Sequence, residues 1–347
     1  MNNIQNQINA ASNLNHLNKI RTYVSLFLIA IFLVFIAGFR PIGFDRDSLS
    51  YLDSFEGFTD LLDSNYLDKE PTFWLISWLS NLISRDDARF LFVIYAALGV
   101  LITFFSIVKI TTYPLLAVFC YIFLFFPLHG MTQIRAGVAC AIFLSSIPDI
   151  AKKTPVSFFL KSTLATMFHY SAVVIFVVYL LKPKKINVRF YLLLPLIGLS
   201  FVFFRDQFVA SLGSIASLLP DFIGYKILIY IELLQDGVGE EINLFSIYYT
   251  CLLVMYYYLV LNMQKFEGPY DYILIKLLGW TLFVYYFASF LPAIAVRVSE
   301  LYGTVVIFII PMLVCSFKEK ILPLSIAILF VLVIFVNNVF VHSLFNL

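Results

Sequence analysis

Apolar residues run in long stretches separated by short polar breaks, a pattern that predicts helices crossing a bilayer. The first stretch, 22–39, is ended by Pro41 and Gly43. Residues 44–70 are polar and acidic, and 71–84 (TFWLISWLSNLIS after Pro71) is apolar again. At roughly 14 residues this segment is short for a crossing, so it reads as a re-entrant or interfacial helix opened by proline. Spans are expected at 88–108, 112–128 and 133–150, with a polar break at His129 to Thr132 between the last two. Residues 155–181 are apolar but interrupted by Lys161, Ser162, Thr163, Thr166, His169 and Ser171. That stretch fits either one long tilted helix or a hairpin with His169 at its tip. Further spans are expected at 188–204, 243–263, 271–291, 300–317 and 321–341, with a mixed, partly acidic stretch at 205–242. The fold class is therefore all-α: a polytopic integral membrane protein of about ten transmembrane helices plus re-entrant or interfacial ones. Residues 1–18, rich in Asn and Gln, read as a disordered cytoplasmic tail and not as a signal peptide. The rest, 19–347, reads as one transmembrane domain with outer loops 40–70 and 205–242.

Composition strengthens this picture. Hydrophobic residues make up 61% of the 347 and charged residues 13%, against roughly 45–50% and about 25% in soluble chains. A core that large needs lipid as its solvent. The net charge of +2 and the lack of a basic stripe argue against nucleic acid as a partner. Cys120, Cys140, Cys251 and Cys315 are scattered in apolar runs and suggest neither a metal site nor a disulfide framework. No internal repeat, phosphate loop, GxSxG elbow or metal-spaced His/Cys cluster is present.

Charge sorts the loops. If 71–84 does not cross and 155–181 returns to its own side, Lys109, Lys152, Lys153, Lys182, Lys184, Lys185, Arg189, Lys265, Lys318 and Lys320 share the inside, as the positive-inside rule requires. Seven of nine arginines (40, 46, 85, 89, 135, 205 and 297) then sit at the outer face. If both segments cross, Arg85, Arg89 and Arg135 move inside, and charge alone ties the two arrangements over that region. The first is preferred because 71–84 is short and 155–181 is interrupted.

Several residues could carry chemistry. Arg135, at the start of a span and followed by Ala136 and Gly137, is either a snorkelling arginine or an anion contact in a cavity that a ligand approaches closely. His169 is either a packing residue or a proton-handling one. Arg297 and Glu300, three apart, are either a surface pair at a helix start or a second anion-binding arginine with its carboxylate. Asp45, Asp47 and Glu70 belong to a mostly solvated acidic loop. Asp47 and Glu70 lie just off membrane helices, within reach of a cavity mouth. Arg89 joins Asp45, Asp47 and Glu70 as a candidate substrate contact.

The ordered segments FDRDSLSYLDSFEGF, EPTFWLISWL, QIRAGVACAIFLSSI, TMFHYSAVV and AVRVSELYGTVVIFIIPML resemble the EpsG family of Wzy-type polysaccharide polymerases. The resemblance covers roughly 40–180 and 290–315. It implies a GT-C-like, metal-independent glycosyltransferase without cofactor, with its site at the outer face of the bacterial inner membrane. It implies undecaprenyl-pyrophosphate-linked oligosaccharide as substrate, with a chain-length regulator and a flippase of the same pathway as partners. By motif position it assigns function to Arg135, His169 and Arg297, with Glu300 beside them. The alternatives are an O-antigen ligase-type transferase, a transporter or flippase of lipid-linked sugars and, more distantly, an integral acyltransferase.

Overall fold

The structure is a computed structural model. It describes residues 2–57, 69–84, 87–184, 186–216 and 242–345, with Leu218, Leu228, Ile229 and Glu232. Side chains are described from Lys19 onward, except those of Asp206, Leu212 and Ile215. The side chains of the expected tail, 58–68 of the first expected loop and most of 217–241 of the second lie outside the described residues. Among the described residues, helix is the regular structure, and the one extended pairing is an isolated bridge between Asp45 and Phe345.

In chain order, α1 (Asn2–Gly38) is followed by the short α2 (Ser48–Glu56) and by α3 (Pro71–Ile83). Then come α4 (Arg89–Ile110), α5 (Pro114–Cys120) with a π-helical continuation Tyr121–Thr132, and α6 (Ile134–Lys152). α7 (Pro155–Phe168) leads through a 3₁₀ turn, Tyr170–Val174, into α8 (Ile175–Val178). The remainder is α9 (Val188–Ser200), α10 (Arg205–Ala216), α11 (Ile247–Leu261), α12 (Asp271–Phe287), α13 (Pro292–Gly303), α14 (Val306–Cys315) and α15 (Ile321–Val336). Among the described residues, five segments are long and apolar enough to cross a membrane: Lys19–Gly38, Arg89–Ile110, Pro114–Thr132, Ile134–Lys152 and Ile321–Val341. α13 and α14, bent by 48° at a short break, make a sixth if counted together. The expected span 300–317 is thus the second part of a broken one, and Arg297 and Glu300 lie in the same arm before the bend. Val188–Phe204 and Ile247–Leu261 are shorter apolar helices.

Two features decide how the chain passes between ends. At His169 the backbone is extended (φ −156°, ψ 119°), which stops α7. The chain then turns back until Tyr179 packs on Phe158 with ring centroids 4.9 Å apart. Lys153 Nζ donates to the carbonyls of Tyr179 and Leu181 at 2.7 and 2.8 Å, closing the base of the hairpin. Of the two shapes open to 155–181, the hairpin with His169 at its tip is the one adopted. Helix α3 starts beside that tip, where Thr72 Oγ1 donates to the Met167 carbonyl at 2.7 Å. Only five residues separate its end from α4, a reach of about 20 Å, short of a ~30 Å hydrocarbon core. Since α4 begins at the same end as the tip, with Phe92 under Arg40, α3 begins and ends there and does not cross.

The two ends of the bundle consequently differ. One gathers Lys153, Lys182, Lys276, Lys265 and Lys320, against backbone carbonyls and the rings of Tyr258 and Tyr113. The other gathers Arg40, Asp45, Arg46, Glu70, Arg135 and His169.

Candidate active site

Glu70 is the hinge of the cluster. It stands immediately before Pro71, whose missing N–H and fixed φ suit the first turn of α3. Its side chain is only 4% exposed. One carboxylate oxygen accepts from Arg135, at the start of α6, in a close ion pair. The other lies 2.8 Å from His169 Nδ1 and accepts the Tyr170 N–H at 3.3 Å. A carboxylate can only accept, so His169 Nδ1 carries its proton toward Glu70, and Nε2 is left to face elsewhere. Burial pushes the Glu70 carboxyl up, but the His169 hydrogen bond and the Arg135 charge outweigh it and hold it at about 2. Arg135 lies over the rings of Tyr51 and Phe73, 5.4 and 5.8 Å from their centroids.

His169 also lines a small cavity, partly open to solvent, together with His129, Gln133, Ala136, Arg297 and Glu300. Two contacts bring α13 to this wall. Tyr302 Oη donates to the Val174 carbonyl at 2.6 Å, tying α13 to the hairpin tip. Ser299 Oγ and Tyr249 Oη are hydrogen-bonded at 2.6 Å, tying it to α11. Arg297 is exposed, Glu300 is half-buried, and no salt bridge joins the two among the described residues. The structure therefore brings together Glu70, Arg135 and His169 by contact, and His169, Arg297 and Glu300 around one cavity. Arg135 reaches that cavity only through Glu70 and His169; its anion partner is a carboxylate of the chain itself.

Asp47 is half-buried near both arginines. Its carboxyl is raised by burial and by neighbouring Asp45, against the opposing charges of Arg135, Arg297 and Arg46. Two expectations are corrected. Asp45 does not face a ligand: its carboxylate is fully buried, pairs with Arg40 at 2.7 Å and accepts the N–H groups of Asp47 and Ser48. It caps α2 and holds Arg40, which also donates to the carbonyls of Ala37 and Met131. Arg89 is turned to the surface, 65% exposed, with Asp87 4.0 Å away, and is not among the cavity residues. The space beside Gly137 is likewise taken by the chain, because a Cβ there would overlap the carbonyl oxygen of His129. The sequence reading missed His129 and Gln133 as site residues. Their signal was the polar break just before Arg135, in a chain with only four histidines.

No group of three or more His, Cys, Asp or Glu side chains among the described residues is arranged to hold a metal ion. No curated protein and no solved structure matches the chain. One family model does, over residues 23–347. The match takes in every element that lines the cavity, and by it the chain belongs to the EpsG family.

Proposed function

We propose that the protein is a metal-independent glycosyltransferase that polymerises undecaprenyl-pyrophosphate-linked oligosaccharide repeat units. The reaction takes place at the outer face of the bacterial inner membrane. Membership of the EpsG family supports a polysaccharide polymerase. The observation that carries the reading is a histidine oriented by a buried carboxylate on the wall of a cavity that also holds an exposed arginine without a salt bridge. The lysine-rich and arginine-rich ends of the bundle support the sidedness.

In this reading a sugar hydroxyl of the incoming unit attacks the anomeric carbon at the reducing end of the growing chain. The new C–O bond forms as the bond from that carbon to the pyrophosphate oxygen breaks. Undecaprenyl pyrophosphate leaves with the electron pair, and the hydroxyl proton passes to His169 Nε2. Glu70 fixes the ring tautomer and stabilises the imidazolium, and Arg135 fixes Glu70. Arg297 meets the charge building on the pyrophosphate, with a planar fork suited to its oxygens.

Purified protein given a single lipid-linked repeat unit should produce a ladder of lengths. One transfer to a lipid A-core acceptor with no ladder would point to a ligase instead. Movement of the unit across the membrane without bond formation would point to a flippase. Arg297→Ala should lower polymerisation at least about 100-fold, and Arg297→Lys should recover little of it. A cysteine at exposed position 49 should label from outside the cell and one at position 318 only from the cytoplasm; the reverse would remove the outer-face assignment.

A further inference from the structure

His129 has no place in the scheme above, yet the fold goes to some length to set it. It sits in a π-helical segment of 12 residues, Tyr121–Thr132, inside an otherwise apolar span. π-Helical turns are uncommon and concentrate at functional sites, since the extra residue per turn re-aims a side chain. Pro127 lies within the segment and lacks the N–H that an α-helical ladder would use. Thr132 Oγ1 closes on the Pro127 carbonyl at 3.1 Å. Across from it, Gly137 lets α6 approach so closely that any side chain would strike the His129 carbonyl.

The ring is 6% exposed and stacks on Phe125 at 5.7 Å between centroids. Neither ring nitrogen has a hydrogen-bond partner among the described residues. Its remaining contact is with space. His129 lines the cavity it shares with His169, Arg297 and Glu300. It also lines a second small one, among Thr103, Tyr121, Phe125, Leu144 and Thr304. A packing histidine would be bonded to a helix carbonyl or a hydroxyl; this one is left open toward the site.

We infer that His129 is a substrate-contacting residue, whose ring N–H donates to a pyrophosphate oxygen of the lipid-linked ligand on the inner wall of the cavity. The inference rests on the polymerase reading and adds a second imidazole to it. His169 takes a proton, whereas His129 supplies a hydrogen bond without giving its proton up.

Three variants separate this role from packing. His129→Phe keeps the ring volume and the stack on Phe125 but cannot donate. His129→Gln keeps an N–H near the Nε2 position and loses the stack. If His129 contacts the ligand, kcat/KM for polymerisation falls roughly 10- to 100-fold in the Phe variant. The Gln variant retains more activity, and His129→Ala resembles Phe. If the role is packing, the order reverses, with Phe active and Gln impaired. Binding gives an independent readout: undecaprenyl pyrophosphate should raise the melting temperature of the wild type and of the Gln variant but not of the Phe variant. A Phe variant that matches the wild type in both measurements overturns the inference. A wild type that makes no ladder overturns the polymerase reading, while the melting shifts still decide whether His129 holds the ligand.

Discussion

Two polar clusters join α6 to the α7 hairpin, one near its base and one at its tip, and they are built in opposite ways. Near the base, Lys161 Nζ donates to Asp149 at 2.6 Å and to the Ser145 carbonyl at 2.9 Å, and Thr154 Oγ1 donates to Asp149 at 3.0 Å. These partners lie within 16 residues of one another, and none of them lines either cavity described above. At the tip, His169 and Arg135 meet through Glu70, 99 and 65 residues away in sequence. There Nε2 of His169 remains uncommitted beside a cavity. A local, closed cluster fixes how two neighbouring helices lie. A long-range cluster with one edge left open holds a reactive group ready for something outside the chain.

The contrast can be broken at several points. The largest effect should come from His169→Gln, which keeps hydrogen bonding but cannot exchange a proton near neutral pH. Polymerisation should fall about 10²- to 10⁴-fold at every pH from 6 to 8, with an unchanged melting temperature; normal polymerisation over that range would return His169 to a structural role.

Glu70→Gln should act on both activity and stability. It leaves Arg135 without its anion, at a cost of about 3 kcal/mol, the lower end for a buried pair because Arg135 keeps 19% exposure. It also frees the His169 ring to turn, so activity should drop about 10- to 100-fold. The sign of the pH dependence follows from the depressed carboxyl. Its contribution to stability is complete above the ordinary value of 4.5 and is lost as pH falls toward about 2. The wild type should therefore melt at a steady temperature from pH 7 to about 5 and progressively lower below that. In Glu70→Gln this component of the acid slope should be missing. An identical acid slope in both would mean that the carboxyl is not held by these partners.

The smallest effect should follow Lys161→Met at the base. Its side chain is 29% exposed, so the loss should be about 1 kcal/mol with polymerisation unchanged. A polymerisation defect there comparable to that of Glu70→Gln would erase the distinction between the two clusters.

Much of the architecture was legible in the chain because lipid imposes a strong pattern. The long spans of α1, α4, α6 and α15 follow from runs of apolar residues, and the shortness of 71–84 anticipated a helix that does not cross. His169, Arg135 and Glu70 were each picked out as polar groups in apolar surroundings. Their joining was not, since partners 65 and 99 residues apart leave no periodic trace. Asp45 and Arg89 show the converse failure. Both look like ligand contacts in one dimension, and only packing reveals that Asp45 is consumed by Arg40 and two backbone N–H groups, while Arg89 faces outward. His129 was hidden because a π-helical turn has no sequence period to distinguish it from an ordinary break.

The seam between the first loop and the last turn has a bearing on the order of assembly. Arg46 donates to the Ser343 carbonyl at 2.9 Å across 297 residues, Phe44 stacks on Phe345, and Asp45 bridges to Phe345. A chain emerging from the ribosome makes the Arg40–Asp45 pair early, from neighbours five residues apart. It can lock the loop that carries Asp47 only after the final helix has been inserted. Closing so long a loop costs entropy, and less of it remains to be lost once the intervening helices already hold the ends near each other. The seam thus forms only once α15 is in place beside the first loop.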